Sequence, residues 1–207
     1  MMHLYTDSSP NGFKITIALE ELNLPYQLHH VRIEAGEHHL PEFLKLNPHS
    51  RIPVLVDDDA GITLFESAAI LLYLADKTQR FISNEVKQRW QTIQWLIFHA
   101  SSMGPILGQR VHFEIFAQPP QAKEIQRYRQ LTEATFATLD QQLQQNPWIA
   151  GADYSIADIA NFAWLHIAKI IYFDFSQFPH LDAWFLRVAE RPAVKRGISL
   201  PHPATGP

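Results

Sequence analysis

The pattern of apolar and polar positions changes character near residue 78. Before that point, short runs that alternate between apolar and polar residues are separated by runs with helical spacing. The alternating runs predict strands and the others predict helices, so this part is predicted to form a mixed sheet with helices on its faces. The predicted strands are 3–6, 26–33, 52–58 and 61–65, and the predicted helices are 12–22, 41–47 and 66–77.

Beyond this region, only helical spacing remains. Apolar positions recur at helical intervals to about residue 191, with predicted breaks at Gly104-Pro105 and at 118–121. The last residues, 199–207, hold three prolines and no periodic pattern, which predicts an extended tail. Two domains are therefore predicted, an α/β domain over 1–78 and an all-helical domain over 84–207.

Composition narrows the function classes. The chain has 207 residues, of which 46% are hydrophobic, enough for a full core. The net charge is −4 and no basic run occurs, so nucleic acid is not expected as a partner. No stretch approaches the roughly 20 apolar residues of a membrane span. The N-terminal residues lack a charged region followed by an apolar one, so no secretory signal is predicted and a cytoplasmic location is expected.

The chain contains no cysteine. This excludes disulfides, thiolate metal sites and a cysteine nucleophile, so any thiol chemistry needs a thiol that arrives on a ligand. Two adjacent histidine pairs, His29-His30 and His38-His39, occur. Neighbouring side chains on a strand face opposite ways, and no H-E-x-x-H spacing is present, so no metal site is expected.

The turn "SSPNGFK" (8–14) connects the first strand to the first helix. Ser9 or Asn11 can cap the helix, with Pro10 in its first turn, and capping is the commonest role of such residues. The same place offers free N–H groups and a partial positive charge, which favour an anion. Side chains of Ser9 and Asn11 could therefore also donate hydrogen bonds to a bound thiolate.

Two further segments carry alternative interpretations. Ile52-Pro53 opens a strand, where a trans bond at a sheet edge is the ordinary case. A cis bond would instead turn the Ile52 backbone toward a ligand, which could pair with it as an added strand. Glu66 and Ser67 stand where a strand gives way to a helix, and could simply cap it. Alternatively, Ser67 could bind a carboxylate while Glu66 binds the neighbouring ammonium of an α-amino acid group.

A structural motif marks the second half. Ser155 and Asp158 have the S-x-x-D spacing of a capping box ahead of an apolar helix. We expect these two residues to fix where that helix begins rather than to take part in chemistry.

Four segments in this order resemble the cytosolic glutathione transferase family. They are "SSPNGFK", "NPHSRIPVLVD", "LFESAAILLYLADK" and "YSIADIA". The chain is most similar to the bacterial Nu-class transferases and the related yeast nitrogen-regulator prion protein, which share a similar proline-asparagine-glycine turn and a segment like "GEHHLPEF" (36–43).

The resemblance implies a thioredoxin-like N-terminal domain, an all-helical C-terminal domain and a homodimer. It implies glutathione as co-substrate. The Ile52 backbone, before a cis Pro53, would pair with the cysteinyl part of glutathione. Glu66 and Ser67 would bind the γ-glutamyl end.

The remaining implied contacts concern the sulfur and the glycyl end. Asn11, with Ser9 nearby, would face the sulfur, while His38 or Arg51 could approach the glycyl carboxylate. Arg127 would approach glutathione from the second half of the chain. Ser9 stands where the Nu-type pattern often has threonine, and His38 where it often has glutamine.

The expected function is a glutathione-dependent enzyme that reduces small disulfides with a bound glutathione thiolate. One alternative is the conventional transfer of glutathione to an electrophile. Another is a regulatory module that binds glutathione with little catalysis, since one fold serves many functions. A purely structural dimer without glutathione is disfavoured by the intact Ile52-Pro53 and Glu66-Ser67 pairs.

Overall fold

The structure, a computed structural model, describes residues 1–201 of the chain. They form two compact units. The first holds Met1–Arg80 and the described residues from Ala189 onward, and the second holds Phe81–Val188. The strands are β1 (Met2–Thr6), β2 (Tyr26–His30), β3 (Val54–Asp57) and β4 (Ile62–Phe65). The helices are α1 (Pro10–Leu22), α2 (Pro41–Leu44), α3 (Ser67–Thr78), α4 (Val86–Phe98), α5 (Gly104–Val111), α6 (Ala122–Gln145), α7 (Ile156–Ile170), α8 (Pro179–Ala189) and α9 (Pro192–Gly197).

A four-stranded sheet in the order β2-β1-β3-β4 forms the centre of the first unit. β1 is parallel to β2, and β3 is antiparallel to both β1 and β4. In β1, Leu4 pairs with Leu55 of β3, and both side chains are buried. The sheet is therefore mixed, as the strand and helix order predicted, and one polar turn carries the chain from β1 straight into α1.

The start of α1 follows from its sequence. Ser9 is the N-cap residue, and its hydroxyl oxygen accepts a hydrogen bond from the Gly12 N–H at 3.0 Å. Pro10 occupies the first turn, where a missing N–H costs nothing. The helix ends at Asn23, whose left-handed backbone closes the last turn. The predicted capping role of this turn is thus realised by Ser9.

The C-terminal segment packs against α1. Gly197 of α9 approaches α1 so closely that a β-carbon there would lie 2.6 Å from the Ile17 Cα atom. The Thr16 hydroxyl donates to the Gly197 carbonyl at 2.7 Å, and Arg191 pairs with Glu21 at 2.5 Å. The hydrophobic pattern ended the helices near residue 191 and so missed α9, which groups with the first unit. Residues 202–207 of the predicted extended tail lie outside the described residues.

The second unit begins with a long, nearly continuous helical run. Two π-helical turns, His99–Met103 and His112–Phe116, follow α4 and α5. The predicted break at Gly104-Pro105 is wrong, because the helical run continues through it. A proline ring inside an α-helix would clash with the carbonyl four residues earlier, and here that carbonyl lies in the wider π turn His99–Met103. The break at 118–121 is confirmed, since α6 begins at Ala122.

The capping box of α7 is confirmed. The Asp158 carboxylate is fully buried and accepts hydrogen bonds from the Ser155 N–H at 2.9 Å, the Ile149 N–H at 3.0 Å and the Trp184 Nε1–H at 2.8 Å. Burial raises the pKa of Asp158, while these donors act in the opposite direction. The carboxylate therefore connects the start of α7 to α8 and to the preceding loop, as a structural group.

Candidate functional site

A polar cavity of about 250 Å³ opens on the first unit, beside the N-termini of α1 and α3. The turn after β1, the loop before β3 and the turn after β4 meet around it. Its lining residues are Asn11, Asn47, His49, Arg51, Ile52, Pro53, Glu66 and Ser67. The cavity thus combines two helix N-termini, which favour anions, with one carboxylate and one guanidinium.

The Asn11 side chain accepts a hydrogen bond from a buried lysine. Lys14, one turn further along α1, donates from its Nζ atom to Asn11 Oδ1 at 2.8 Å and to Ser67 Oγ at 3.1 Å. The Lys14 side chain is almost inaccessible to solvent. Burial lowers its pKa to about 7, and the nearby Glu66 carboxylate acts to raise it. Lys14 therefore joins the start of α1 to the start of α3.

The turn before α3 presents an acid and a hydroxyl together. Glu66 has positive φ, +69° with ψ 108°, an uncommon conformation for a residue with a side chain. Its carboxylate makes no capping bond to α3 and is exposed at the cavity. Ser67, the first residue of α3, is buried and receives the bond from Lys14. An ammonium beside Glu66 and a carboxylate beside Ser67 would fit this arrangement.

The loop before β3 is shaped by a buried asparagine. Asn47 Nδ2 donates to the Arg51 carbonyl at 2.7 Å, and Asn47 Oδ1 accepts from the His49 N–H at 2.9 Å. Ser50 adopts the left-handed conformation with φ 57°. These bonds bring Arg51 and the cis Ile52-Pro53 peptide to the cavity wall.

The structure places most of the predicted site residues around one cavity. It brings together Asn11, Arg51, Ile52, Pro53, Glu66 and Ser67. Ser9 lies outside the lining and caps α1. His38 lies in a short 3₁₀ helix, packs against His39 with ring centroids 3.9 Å apart, and is not among the lining residues. Arg127 is exposed on α6 in the second unit, so its predicted contact stays a prediction.

Sequence reasoning missed three residues of this region: Lys14, Asn47 and His49. The Asn47-Pro48 pair is a turn signal that could have singled out Asn47. Lys14 gave no such signal, because a lysine early in a helix is ordinarily solvated and only the folded packing on α3 buries it.

Two other kinds of feature are absent from the described residues. Within residues 1–201, no group of three or more histidine, aspartate and glutamate side chains is placed to hold a metal ion. No helix of the described chain has the length and apolar character needed to cross a membrane.

A mixed four-stranded sheet with a polar cavity at two helix N-termini, followed by a helical unit, defines a thioredoxin-like protein with a helical second domain. Two family models match the chain: the N-terminal domain of glutathione S-transferase over residues 1–76, and its C-terminal domain over residues 98–192. The chain therefore belongs to the glutathione S-transferase family. The predicted family and fold class are confirmed.

Relatives with similar sequences and structures include disulfide oxidoreductases and glutathione complexes. The disulfide-bond oxidoreductase YfcG of Escherichia coli is 40% identical over 203 residues, covering 96% of this chain and 94% of the relative. A glutathione transferase from Pseudomonas putida with one glutathione disulfide bound per subunit has a TM-score of 0.91 at 35% identity, covering 97% and 91%. One from Burkholderia graminis with two glutathione molecules bound per subunit has a TM-score of 0.91 at 36% identity, covering 97% and 88%.

Proposed function

We propose that this protein is a glutathione-dependent enzyme that reduces small disulfides with the thiolate of bound glutathione. The cavity that joins Asn11 to the Glu66-Ser67 pair carries the proposal, because one tripeptide can place its sulfur and its α-amino acid group there together. The chain has no cysteine, so the reacting thiol is the ligand's own. YfcG, at 40% identity, is named a disulfide-bond oxidoreductase, and the Pseudomonas putida relative binds glutathione disulfide.

The reaction needs two glutathione molecules. The first thiolate attacks one sulfur of the substrate disulfide, so that the S–S bond breaks, a mixed disulfide forms and a substrate thiolate leaves. A second glutathione thiolate attacks the glutathione sulfur of the mixed disulfide, which releases glutathione disulfide and the second substrate thiolate. Both leaving thiolates take up the protons lost by the two glutathione thiols. The substrate is reduced by two electrons and the glutathione pair is oxidised by two.

The protein contributes binding and thiol ionisation. A free thiol with a pKa of about 8.5 is only a few per cent ionised at neutral pH. A hydrogen bond from the Asn11 amide, aided by the N-terminus of α1 and by Ser9 nearby, would lower that pKa. Each unit of lowering requires about 1.4 kcal/mol of preferential thiolate stabilisation, and a charge-assisted hydrogen bond supplies about that much.

The other site residues hold the tripeptide. The Ile52 backbone, before Pro53, would pair with the cysteinyl residue. Glu66 would bind the γ-glutamyl ammonium, and Ser67 the adjoining carboxylate. Arg51 would bind the glycyl carboxylate.

Two more residues complete the proposed set. His38 is the alternative for the glycyl carboxylate, and Arg127 is proposed to approach glutathione from the second unit. For His38, burial and the neighbouring His39 and Arg51 lower the pKa, so its ring is largely neutral at neutral pH. Arg51 therefore fits a carboxylate better than His38 does.

A homodimer in the cytoplasm is part of the proposal. On α4, Val86, Trp90 and Ile97 form an apolar stripe at helical spacing, and these side chains are 69%, 63% and 53% exposed. A stripe of this kind fits a subunit contact with a second copy. A cytoplasmic location would supply reduced glutathione, which the reaction consumes. Light scattering on the protein and on Trp90→Lys tests the dimer, which the charged residue should dissociate.

Turnover of hydroxyethyl disulfide with reduced glutathione, measured beside chlorodinitrobenzene conjugation, tests the reaction. Fast disulfide reduction with slow conjugation supports the proposal. The reverse result would identify a conventional transferase that conjugates electrophiles. If both rates were negligible while glutathione still raised the melting temperature, the protein would be a glutathione-binding regulatory module.

A further inference from the structure

Lys14 is a buried cation that none of the proposed catalytic steps uses. Its Nζ atom lies 2.8 Å from Asn11 Oδ1 and 3.1 Å from Ser67 Oγ. These two acceptors belong to the opposite ends of the proposed glutathione site, the sulfur end and the γ-glutamyl end. Among the described residues, the charged group that acts on the Lys14 side chain is the Glu66 carboxylate, which acts to raise the pKa of Lys14.

The bond to Asn11 determines how its amide is turned. A carboxamide has one acceptor atom and one donor group, and it can lie in either of two orientations. Because the charged ammonium of Lys14 has only donors, Asn11 Oδ1 faces it, and Asn11 Nδ2 is then the end that can donate to sulfur. An amide turned the other way would place an oxygen lone pair against a thiolate.

The hydrogen bond from Lys14 to Ser67 likewise determines where the Ser67 hydroxyl can donate. The Ser67 oxygen accepts from Lys14, so its own hydroxyl hydrogen is directed to another acceptor. A ligand carboxylate at the start of α3 is such an acceptor. Lys14 thus makes Ser67 a donor to the carboxylate and Asn11 a donor to the sulfur.

We propose that Lys14 is a positioning residue that couples the γ-glutamyl carboxylate of bound glutathione to the ionisation of its thiol. A carboxylate at Ser67 favours the charged ammonium over the neutral amine. The charged ammonium polarises the Asn11 amide and strengthens its bond to a thiolate. This inference rests on the proposed placement of glutathione, and it does not depend on which second substrate the enzyme uses.

Titration of the bound thiol tests this role directly. The chain has no cysteine, so thiolate absorbance in the ultraviolet belongs to the ligand alone. The difference spectrum is taken against the complex with S-methylglutathione, which has no ionisable thiol. Lys14→Met should raise the pKa of the bound thiol by about one unit, so that the thiolate fraction at neutral pH falls by up to about tenfold. Lys14→Gln, which keeps an N–H donor, should recover part of that shift.

Lys77→Met is the matched control. Lys77 also lies in the first unit and pairs with Asp57 at 2.5 Å, but it is not a lining residue of the cavity. This substitution should lower the melting temperature without changing the thiol pKa, which separates a structural loss from the proposed positioning.

The coupling itself is tested with γ-aminobutyryl-cysteinyl-glycine, a glutathione analogue without the α-carboxylate. In the wild-type protein its bound thiol should have a higher pKa than that of glutathione, and in Lys14→Met this difference should disappear. The inference would be overturned if a folded Lys14→Met variant that still binds glutathione had an unchanged thiol pKa. It would also be overturned if the difference in thiol pKa between the analogue and glutathione were the same with and without Lys14. If Lys14→Met does not fold, Lys14→Gln and the analogue on the wild type give the same decision.

Turnover is measured on the same preparations. If the protein reduces disulfides but the pKa of its bound thiol does not change when Lys14 is substituted, the positioning role is refuted and the proposed function stands. A Lys14-dependent thiol pKa in a protein without disulfide reduction would refute the proposed function alone.

Discussion

Gly12 lies directly against the carbonyl of Asp7, so close that a β-carbon on Gly12 would be 2.3 Å from that oxygen. The same β-carbon would be 2.4 Å from Thr6 Oγ1. The end of β1 and the first turn of α1 can therefore meet only where residue 12 has no side chain. Asn11, the residue before Gly12, lies in the wall of the cavity.

Gly12→Ala should consequently disturb both stability and the site. We expect a loss of about 1–3 kcal/mol in unfolding free energy, typical of overpacking, together with weaker glutathione binding as the turn moves. Chemical denaturation and calorimetric titration measure the two effects. Ser8→Ala, an exposed position in the same turn, is the control and should change neither. Unaltered glutathione affinity in Gly12→Ala would show that the turn does not position the site.

Asn11→Ala should reduce catalysis more than binding. Loss of one hydrogen bond to a thiolate costs about 1.5–3 kcal/mol, equivalent to about a 10–100-fold lower kcat/KM for hydroxyethyl disulfide. The affinity for S-methylglutathione, which has no thiolate, should change by less than about threefold. Asn84→Ala, exposed outside the cavity, is the control. Equal losses in both measurements would make Asn11 a binding residue only.

Glu66→Gln should weaken glutathione binding about 10–100-fold, because the ammonium of the γ-glutamyl group loses its charged partner. The analogue glutaryl-cysteinyl-glycine, which lacks that ammonium, provides the comparison in calorimetric titration. It should bind the wild type more weakly than glutathione does, and the two ligands should bind Glu66→Gln equally. A persistent preference for glutathione in the variant would assign the ammonium to another residue.

The buried Lys14 should make stability depend on pH. Its pKa is about 7 in the folded protein, whereas the ordinary value for a solvated lysine is 10.5. Between these values the unfolded chain binds more protons than the folded one, so the contribution of Lys14 to stability rises with pH. The slope approaches about 1.4 kcal/mol per pH unit above neutrality.

This dependence is measured without glutathione by denaturing the wild type and Lys14→Met at about pH 6 and about pH 9. The free energy of unfolding of the wild type should increase relative to that of the variant as the pH rises. A difference that stays constant over this range would mean that Lys14 keeps an ordinary pKa in the folded protein.

Asp158→Ala should strongly destabilise the second unit. It removes a carboxylate that satisfies several buried donors at once, among them the indole N–H of Trp184. The expected loss is on the order of 3 kcal/mol in unfolding free energy, with Asp153→Ala as the exposed control within about 0.5 kcal/mol. A melting temperature as high as that of the control would show that water replaces the carboxylate.

The parts of the fold and of the site that the sequence could predict are those set by local chemistry. Ser155 and Asp158 form their capping box from three-residue spacing, and the start of α1 at Ser9-Pro10 follows from the residues that helix starts require. Glu66 and Ser67 were placed correctly at a strand-to-helix junction, because the hydrophobic pattern changes period at that point.

The parts that it could not predict depend on contacts between distant segments. Lys14 resembles any solvated lysine until α3 covers it, and Asn47 acquires its role through its bonds to the loop that it closes. α9 was missed because it is short and begins at Pro192, close to a proline-rich end that reads as a tail. Its stability comes from its packing on α1 rather than from its own pattern.

The approach of Gly197 to Ile17 has a consequence for how the protein is made. Residues from both ends of the chain complete the first unit, so the ribosome has released α1 and the whole sheet long before it releases α9. Until then, the face of α1 that α9 covers stays in water, and synthesis of the N-terminal segment alone does not produce the finished unit. A messenger truncated before the codon for Ala189 would therefore yield a chain that keeps the second unit but lacks α9, so that α1 stays uncovered, and such chains should be recognised by chaperones and proteases.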